Sequence, residues 1–445
     1  MQTMQSMSPI SPMSPNTHPS HRRDILLLIF SSIGILGLLI RGAYLVVAGI
    51  LSFDPGNGSS LASSMLGALA MLFCAGLLMP VLVYTLNKMK GLEILPAAIR
   101  PVKFWHVAVL VSVWVLVVIM GAGLASLFVF GWAVAAPLFL VGISFPILSL
   151  SWIGAGGLAS GSRRRLWSVF GFGMVGGTVA AMLLEFLVVG TAVVVIGVLA
   201  VVNPDLNTII DQIKVQIANA SAGDVQTLLA ILAPYITNPL VILSILVFAA
   251  GIAPLIEEAV KPAIIWFLGK RLQSPAEGFV LGVLCGAGFA MLEGLMAASG
   301  VPQMWGFSLA GRAAASLMHI TSSGLLGWAI ASAQLEKRYR RLVFTYLLSV
   351  SIHGLWNGSV IIVVYGALRM MVQNIQIDFS SVLLILGGLG MLFLELVLML
   401  AGLPLFNRHL RRLAATRDAP LQSDIIAPLP TSNSRKTNGL DSKIS

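Results

Sequence analysis

Long apolar runs separated by short polar clusters make up most of this chain. Runs long enough to cross about 30 Å of hydrocarbon as a helix fall at residues 25–53, 61–86, 105–128, 131–153, 167–201, 240–269, 277–298, 313–334, 342–366 and 381–406. The stretch from 105 to 153 is too long for one crossing and divides near Gly131. Backbone polar groups find no water inside a bilayer, so runs of this length predict helices. The expected fold is all-α, a polytopic membrane bundle of about ten helices.

The polar stretches divide the chain. Residues 1–24 are rich in Met, Ser and Pro, and residues 413–445 are polar with Pro, Ser and Asn. Neither segment carries enough apolar surface to bury a core, so both are expected to be disordered tails. The run at 25–53 is too long for a signal-peptide core and reads as the first span. Between the tails lie a five-helix membrane region at 25–202, an outer segment at 203–239 and a second membrane region at 240–412. Within the outer segment, Leu206, Ile210, Ile213 and Ile217 recur at helical spacing opposite Asp211, Lys214 and Gln216. That pattern predicts an amphipathic helix on the membrane surface. Gly171-Phe-Gly173-Met-Val-Gly176 fits a dinucleotide-binding pattern literally. It lies inside a span with no strand before it, so it predicts close helix packing instead.

Composition agrees. The 445 residues are 57% hydrophobic and 10% charged, with mean hydropathy +0.94, whereas a soluble domain carries about 25% charged residues. The net charge of +10 does not point to a nucleic-acid partner, because excess Lys and Arg in membrane proteins mark cytoplasmic loops. Alternate connections divide the basic residues unevenly. One set holds Arg22 and Arg23; Lys88, Lys90, Arg100 and Lys103; Arg163 to Arg165; Lys270 and Arg271; Lys337, Arg338, Arg340 and Arg341; and Arg408, Arg411, Arg412 and Arg417. The other holds Lys214, Arg312 and Arg369. This bias puts the first set, and both termini, in the cytoplasm. The two cysteines, Cys74 and Cys285, lie in apolar runs and supply neither a disulfide framework nor a thiolate zinc site.

Ionisable groups inside spans are costly and mark function. They occur here in two settings. Glu185 and Arg41 stand alone and read as structural or snorkelling residues. The others gather between residues 252 and 357: Glu257-Glu258-Ala-Val-Lys261, then Glu293, His319 and His353-Gly-Leu-Trp-Asn357. Lys261 follows Glu257 by four residues, so the two share a face, while Glu258 points about 100° away. Gly278, Gly282, Gly286 and Ala290 form one ridge of small residues that lets a neighbouring helix approach. Counted from the inner anchor of each span at ~1.5 Å per residue, Glu257, Glu293, His319 and His353 fall within one layer about 9 Å thick. That layer lies in the outer half of the membrane.

A carboxylate beside two histidines can activate water for attack on a carbonyl. His and Asn can donate hydrogen bonds to the oxyanion that forms. Alternatively, two histidines and a glutamate (Glu293, His319 and His353) make a zinc ligand set. The spacing is not the local H-E-x-x-H motif, so a metal reading depends on convergence in three dimensions. A proton-coupled transporter uses the same residue types in a relay, and a non-catalytic immunity or partner-binding protein is a third reading.

The order E-E-x-x-K at Glu257–Lys261, G-F-A-x-x-E at Gly288–Glu293, isolated His319, and H-x-x-x-N at His353–Asn357 resembles the PrsW family of intramembrane proteases. That family is related to type II CAAX prenyl endopeptidases and bacteriocin-processing proteins. The likeness covers about residues 250–360. It implies Glu257 as general base with Glu258 beside it, Lys261 as their basic partner, and Glu293, His319, His353 and Asn357 as the remaining catalytic set. Gly294 departs from the family, which often has Asn there. The resemblance also implies a peptidase of membrane proteins in a bacterial plasma membrane, acting by glutamate alone or with a metal. Its best-known relatives cut the extracytoplasmic part of a membrane-bound anti-sigma factor. The topology is checked with reporter fusions. Fusions after Lys90 and Arg341 should report cytoplasm, and a fusion after Lys214 should report the outside; the opposite pattern would overturn the orientation.

Overall fold

A computed structural model describes residues 18–53, 59–92, 96–127, 131–219, 231, 233–235, 238–300, 304–372 and 378–426. The main helices in chain order are α1 (His18–Leu51), α2 (Ser59–Met89), α3 (Phe104–Leu127), α4 (Gly131–Ala155), α5 (Arg163–Val202) and α6 (Pro204–Asn219). They continue with α7 (Pro239–Leu268), α8 (Pro275–Ser299), α9 (Trp305–Glu336), α10 (Tyr339–Val372) and α11 (Phe379–Ile426). Among the described residues, nine of these are long and apolar enough to cross a membrane. The fold is the all-α membrane bundle expected from the apolar runs. One two-stranded ribbon, Pro96–Ala98 against Ala159–Ser162, joins the connections before α3 and α5.

The expected span at 313–334 is α9, which falls outside those nine. Ser316, His319, Thr321, Ser322, Ser323 and Ser332 make it less apolar, and all of them are buried against other helices. α9 faces protein rather than lipid, so its hydropathy understates its place in the bundle. The division near Gly131 falls between α3 and α4. The outer segment does form a helix, α6. The expected tails at 1–24 and 413–445 lie largely outside the described residues. Where described, they are helical: α1 begins at His18, and α11 continues to Ile426. A run of Leu, Arg and Ala after residue 407 favours helix whether or not it is in the membrane.

α8 is enclosed almost all round, and Phe279, Leu281, Met291 and Leu295 fill the centre of the bundle. Its glycine ridge sets the register with α9. A Cβ on Gly278 would meet the carbonyl of Gly327, one on Gly282 that of Ser323, and one on Gly286 that of His319. The pairings run in opposite senses, so the two helices are antiparallel at close range and His319 stands opposite Gly286. On its other side α8 meets α5, where Gly173 lies against the Cys285 carbonyl. The Gly171–Gly176 pattern is therefore a packing surface. Outer helices leave large apolar side chains exposed, among them Phe104, Leu183 and Val194, as a lipid solvent requires.

The basic connections meet at one end of the bundle. Asp24 of α1 pairs with Lys88 of α2 at 2.8 Å and with Arg164 of α5 at 2.6 Å. Arg165 pairs with the buried Glu277 of α8. Asn407 of α11 donates to the carbonyls of Gly154 and Gly156 at the end of α4. Elements assigned to one membrane side by charge alone thus share one face.

Replacing Gly286 with Ala would drive Cβ into the His319 carbonyl, forcing α8 and α9 apart. A loss of about 1–3 kcal/mol is expected, read as a lower melting temperature in detergent. The control is Gly190→Ala in α5, where nothing lies within 4 Å and no change is expected.

Candidate active site

The site is built on irregularities in α7. A π-helical turn occupies Val247–Ile252. The helix breaks again at Lys261–Pro262, because Pro262 has no N–H to give and Ile265 N instead bonds the Pro262 carbonyl. The Lys261 carbonyl takes the thiol of Cys285 on α8.

The Lys261 side chain is fully buried, and its ammonium sits at the centre of the polar cluster. Nζ lies 2.9 Å from Glu257 Oε2, 2.9 Å from Glu258 Oε1 and 2.8 Å from His319 Nδ1. Phe289 closes the remaining side, its ring centroid 4.3 Å away. Spacing alone suggested that the lysine would hold one carboxylate, but it holds both. Positions three and four residues back lie on adjacent parts of one turn, and a long lysine reaches each. An ammonium only donates, so His319 Nδ1 accepts and carries no proton.

His319 Nε2 then faces α8, 2.7 Å from Glu293 Oε2. The other oxygen of Glu293 accepts from Arg312 Nη1 at 3.0 Å. His353, on α10, donates from Nδ1 to Glu258 Oε1 at 2.9 Å. Its Nε2 lies 3.8 Å from Glu257 Oε2. The two imidazoles meet edge to face with centroids 5.1 Å apart.

The two adjacent glutamates differ sharply. Glu258 is fully buried, and one oxygen serves both Lys261 and His353. Glu257 keeps 14% of its side chain exposed. Asn357 does not address the same point as His353. Its Nδ2 donates to the Ala249 carbonyl in the π-helical turn at 2.9 Å. Tyr346 makes a second tie, to the Leu255 carbonyl. Both fasten α10 to α7.

Ligand atoms of Glu257, His319 and His353 lie within 4.8 Å of one another and could hold a metal ion. Glu257 takes the place that the sequence gave to Glu293, which is engaged with His319 and Arg312 instead. The donor chemistry fits a metal, because a histidine anchored by a carboxylate at Nδ1 presents Nε2 as a ligand. Lys261 already contacts two of the three donors, so an ion would take over electron pairs that the ammonium now holds.

Sequence reasoning missed several participants. Arg312 was counted as an outer-loop residue, although it precedes His319 by two turns and shares its face. Glu185, read as a lone charge, has one buried carboxylate oxygen with no hydrogen-bond partner among the described residues. Glu395 on α11 was passed over. Neither of its oxygens has a hydrogen-bond partner among the described residues, and it lines a cavity of about 350 Å³ with Thr321 and Ile352.

These features define a polytopic membrane protein with an ionisable centre enclosed by its helices. The model of the PrsW family of intramembrane metalloproteases matches residues 161–385, just over half of the chain, and the chain belongs to that family. It is an integral membrane peptidase, and membrane proteins are its class of substrate. The match starts before α5, well ahead of the motifs at 250–360, so α5 is part of the family region. No curated protein and no solved structure matches the chain.

Lys261→Met would leave two buried carboxylates without their cation. A loss of about 3–5 kcal/mol is expected, with partial recovery when Glu258→Gln is added. Melting curves in detergent check this, and an unchanged Lys261→Met variant would remove the lysine from the centre of the network.

Proposed function

We propose that Glu257 activates the water that cleaves a peptide bond within the membrane. The observation that carries this reading is the contrast between the two glutamates. Glu258 is sealed and committed to Lys261 and His353, whereas Glu257 is partly open and faces His353 Nε2 at 3.8 Å. A water donating to Glu257 has His353 Nε2 as its second acceptor. Glu257 takes the water's proton as the oxygen adds to the substrate carbonyl, and returns it to the departing amine. Lys261 holds Glu257 Oε2 at 2.9 Å before the attack. Asn357, held by the Ala249 carbonyl, ties α10 to α7 and so positions His353 one turn away. Glu293 and Arg312 hold His319 in place, and His319 in turn holds Lys261.

The convergence of Glu257, His319 and His353 supports a second form of the mechanism. These residues would hold zinc, a metal suited to N and O donors, which supplies Lewis-acid polarisation of the carbonyl. By resemblance, the substrate is the extracytoplasmic part of a single-span protein such as an anti-sigma factor. The charge bias favours cytoplasmic termini, and the resemblance implies a bacterial plasma membrane.

The test is cleavage of a single-span substrate by the purified protein in proteoliposomes. Glu257→Gln and His353→Ala should each lower the rate by about 100-fold or more while membrane insertion is unchanged. Full activity in a Glu257→Gln, Glu258→Gln double variant would refute the mechanism. Substrate uptake without cleavage would favour a carrier. Run with a chelator, the assay separates the two forms. Loss restored by zinc assigns an ion to Glu257, His319 and His353, and retained activity in metal-free protein assigns the water to Glu257 alone.

A further inference from the structure

At the basic end of the bundle, away from the glutamates and histidines, α1, α5 and α7 enclose a cavity of about 380 Å³. Arg23, Arg164, Arg165 and Arg271 line it on the side of the polar connections. Leu27, Phe30, Phe172 and Phe267 line it deeper in the bundle. From Arg23 to Phe30 is seven residues of helix, so the apolar wall descends about 10 Å below the charge.

The four arginines are not equivalent. Arg164 is paired with Asp24, which also holds Lys88, and Arg165 is paired with Glu277. Among the described residues, Arg23 and Arg271 have no carboxylate within ion-pair distance. Two guanidinium charges are therefore left without an anion beside a recess that lies partly in the membrane. Ser168 also lines the recess, and its buried hydroxyl has no hydrogen-bond partner among the described residues.

We propose that this recess binds an anionic phospholipid, with the phosphate between Arg23 and Arg271 and the first acyl methylenes against Leu27, Phe30 and Phe267. Guanidinium groups pair with phosphate oxygens in a forked geometry, and basic pockets between membrane helices select anionic headgroups. The apolar wall distinguishes a lipid from a free anion, which has nothing to place there. The occupant would brace the part of α7 that follows the break at Lys261–Pro262, and Phe172 belongs to the π-helical turn of α5 whose last residue, Gly177, lies against Lys261.

Full-length protein, purified in mild detergent and stripped of lipid, is titrated with phosphatidylglycerol, phosphatidylcholine or inorganic phosphate and read by native mass spectrometry. The parent should retain phosphatidylglycerol in preference to phosphatidylcholine, and inorganic phosphate should not displace it at equal concentration. Arg23→Gln with Arg271→Gln should weaken phosphatidylglycerol binding roughly thirtyfold and leave phosphatidylcholine unchanged. Leu27→Trp fills the apolar wall while keeping every arginine, and should also weaken the lipid; it serves if the arginine double variant is not monodisperse. Unchanged phosphatidylglycerol binding in both variants would overturn the proposal. Displacement by inorganic phosphate, with Leu27→Trp binding lipid as the parent does, would make this a free-anion site and overturn it equally.

Discussion

A buried ammonium is the constraint around which this membrane centre is arranged. Lys261 has no access to water, so its charge must be met inside the protein. Glu257, Glu258 and His319 meet it at 2.8–2.9 Å, with the face of Phe289 behind. Each of those contacts fixes something further. The bond to His319 removes the proton from Nδ1 and turns Nε2 toward Glu293. The bond to Glu258 settles that carboxylate where it can also anchor His353. The remaining glutamate, Glu257, is left partly open with the Nε2 of His353 nearby. A division of labour between two adjacent, chemically identical residues thus follows from where one cation sits.

The helices are irregular where this arrangement needs them to be. Pro262 ends the hydrogen-bonding pattern just after Lys261, and the carbonyl so released is taken by Cys285. The π-helical turn earlier in α7 brings the Ala249 carbonyl within reach of Asn357 on α10. π-turns inside helices often accompany functional sites, and here the turn is held from outside by an amide. On the opposite side, the glycine ridge of α8 lets the α9 backbone approach closely enough for His319 to reach Lys261. Close packing and chemistry are coupled at Gly286, whose missing side chain makes room for the carbonyl of His319 itself.

The two ends of the protein handle charge differently. At the basic end, Asp24 and Glu277 neutralise part of an excess of arginine that borders both water and lipid headgroups. At the site, Lys261 meets Glu257 and Glu258 at 2.9 Å and Arg312 meets Glu293 at 3.0 Å, where burial weakens solvent screening. The recess at the basic end and the site are joined through α7, which runs from one to the other on either side of its proline break.

Much of this protein was legible in its sequence. The bilayer demands apolar helices of fixed minimum length, so run length gave the spans, and loop charge grouped the connections that the structure places at one end. Helical rise put Glu257, Glu293, His319 and His353 in one layer, and they do meet. The limits of the reading have equally physical causes. α9 was read as a span like the others, and only its contacts show that its polar side chains face protein. Arg312 looked like a loop residue because a helix boundary is blurred where a polar face begins. Asn357 and His353 share a face, but only the path of α7 decides that one holds a backbone carbonyl and the other a carboxylate. Periodicity therefore determined which residues stand at the same depth and on the same side of each helix. Only the tertiary structure decided which partner each one takes, because that depends on contacts across helices that lie up to about a hundred residues apart in the chain.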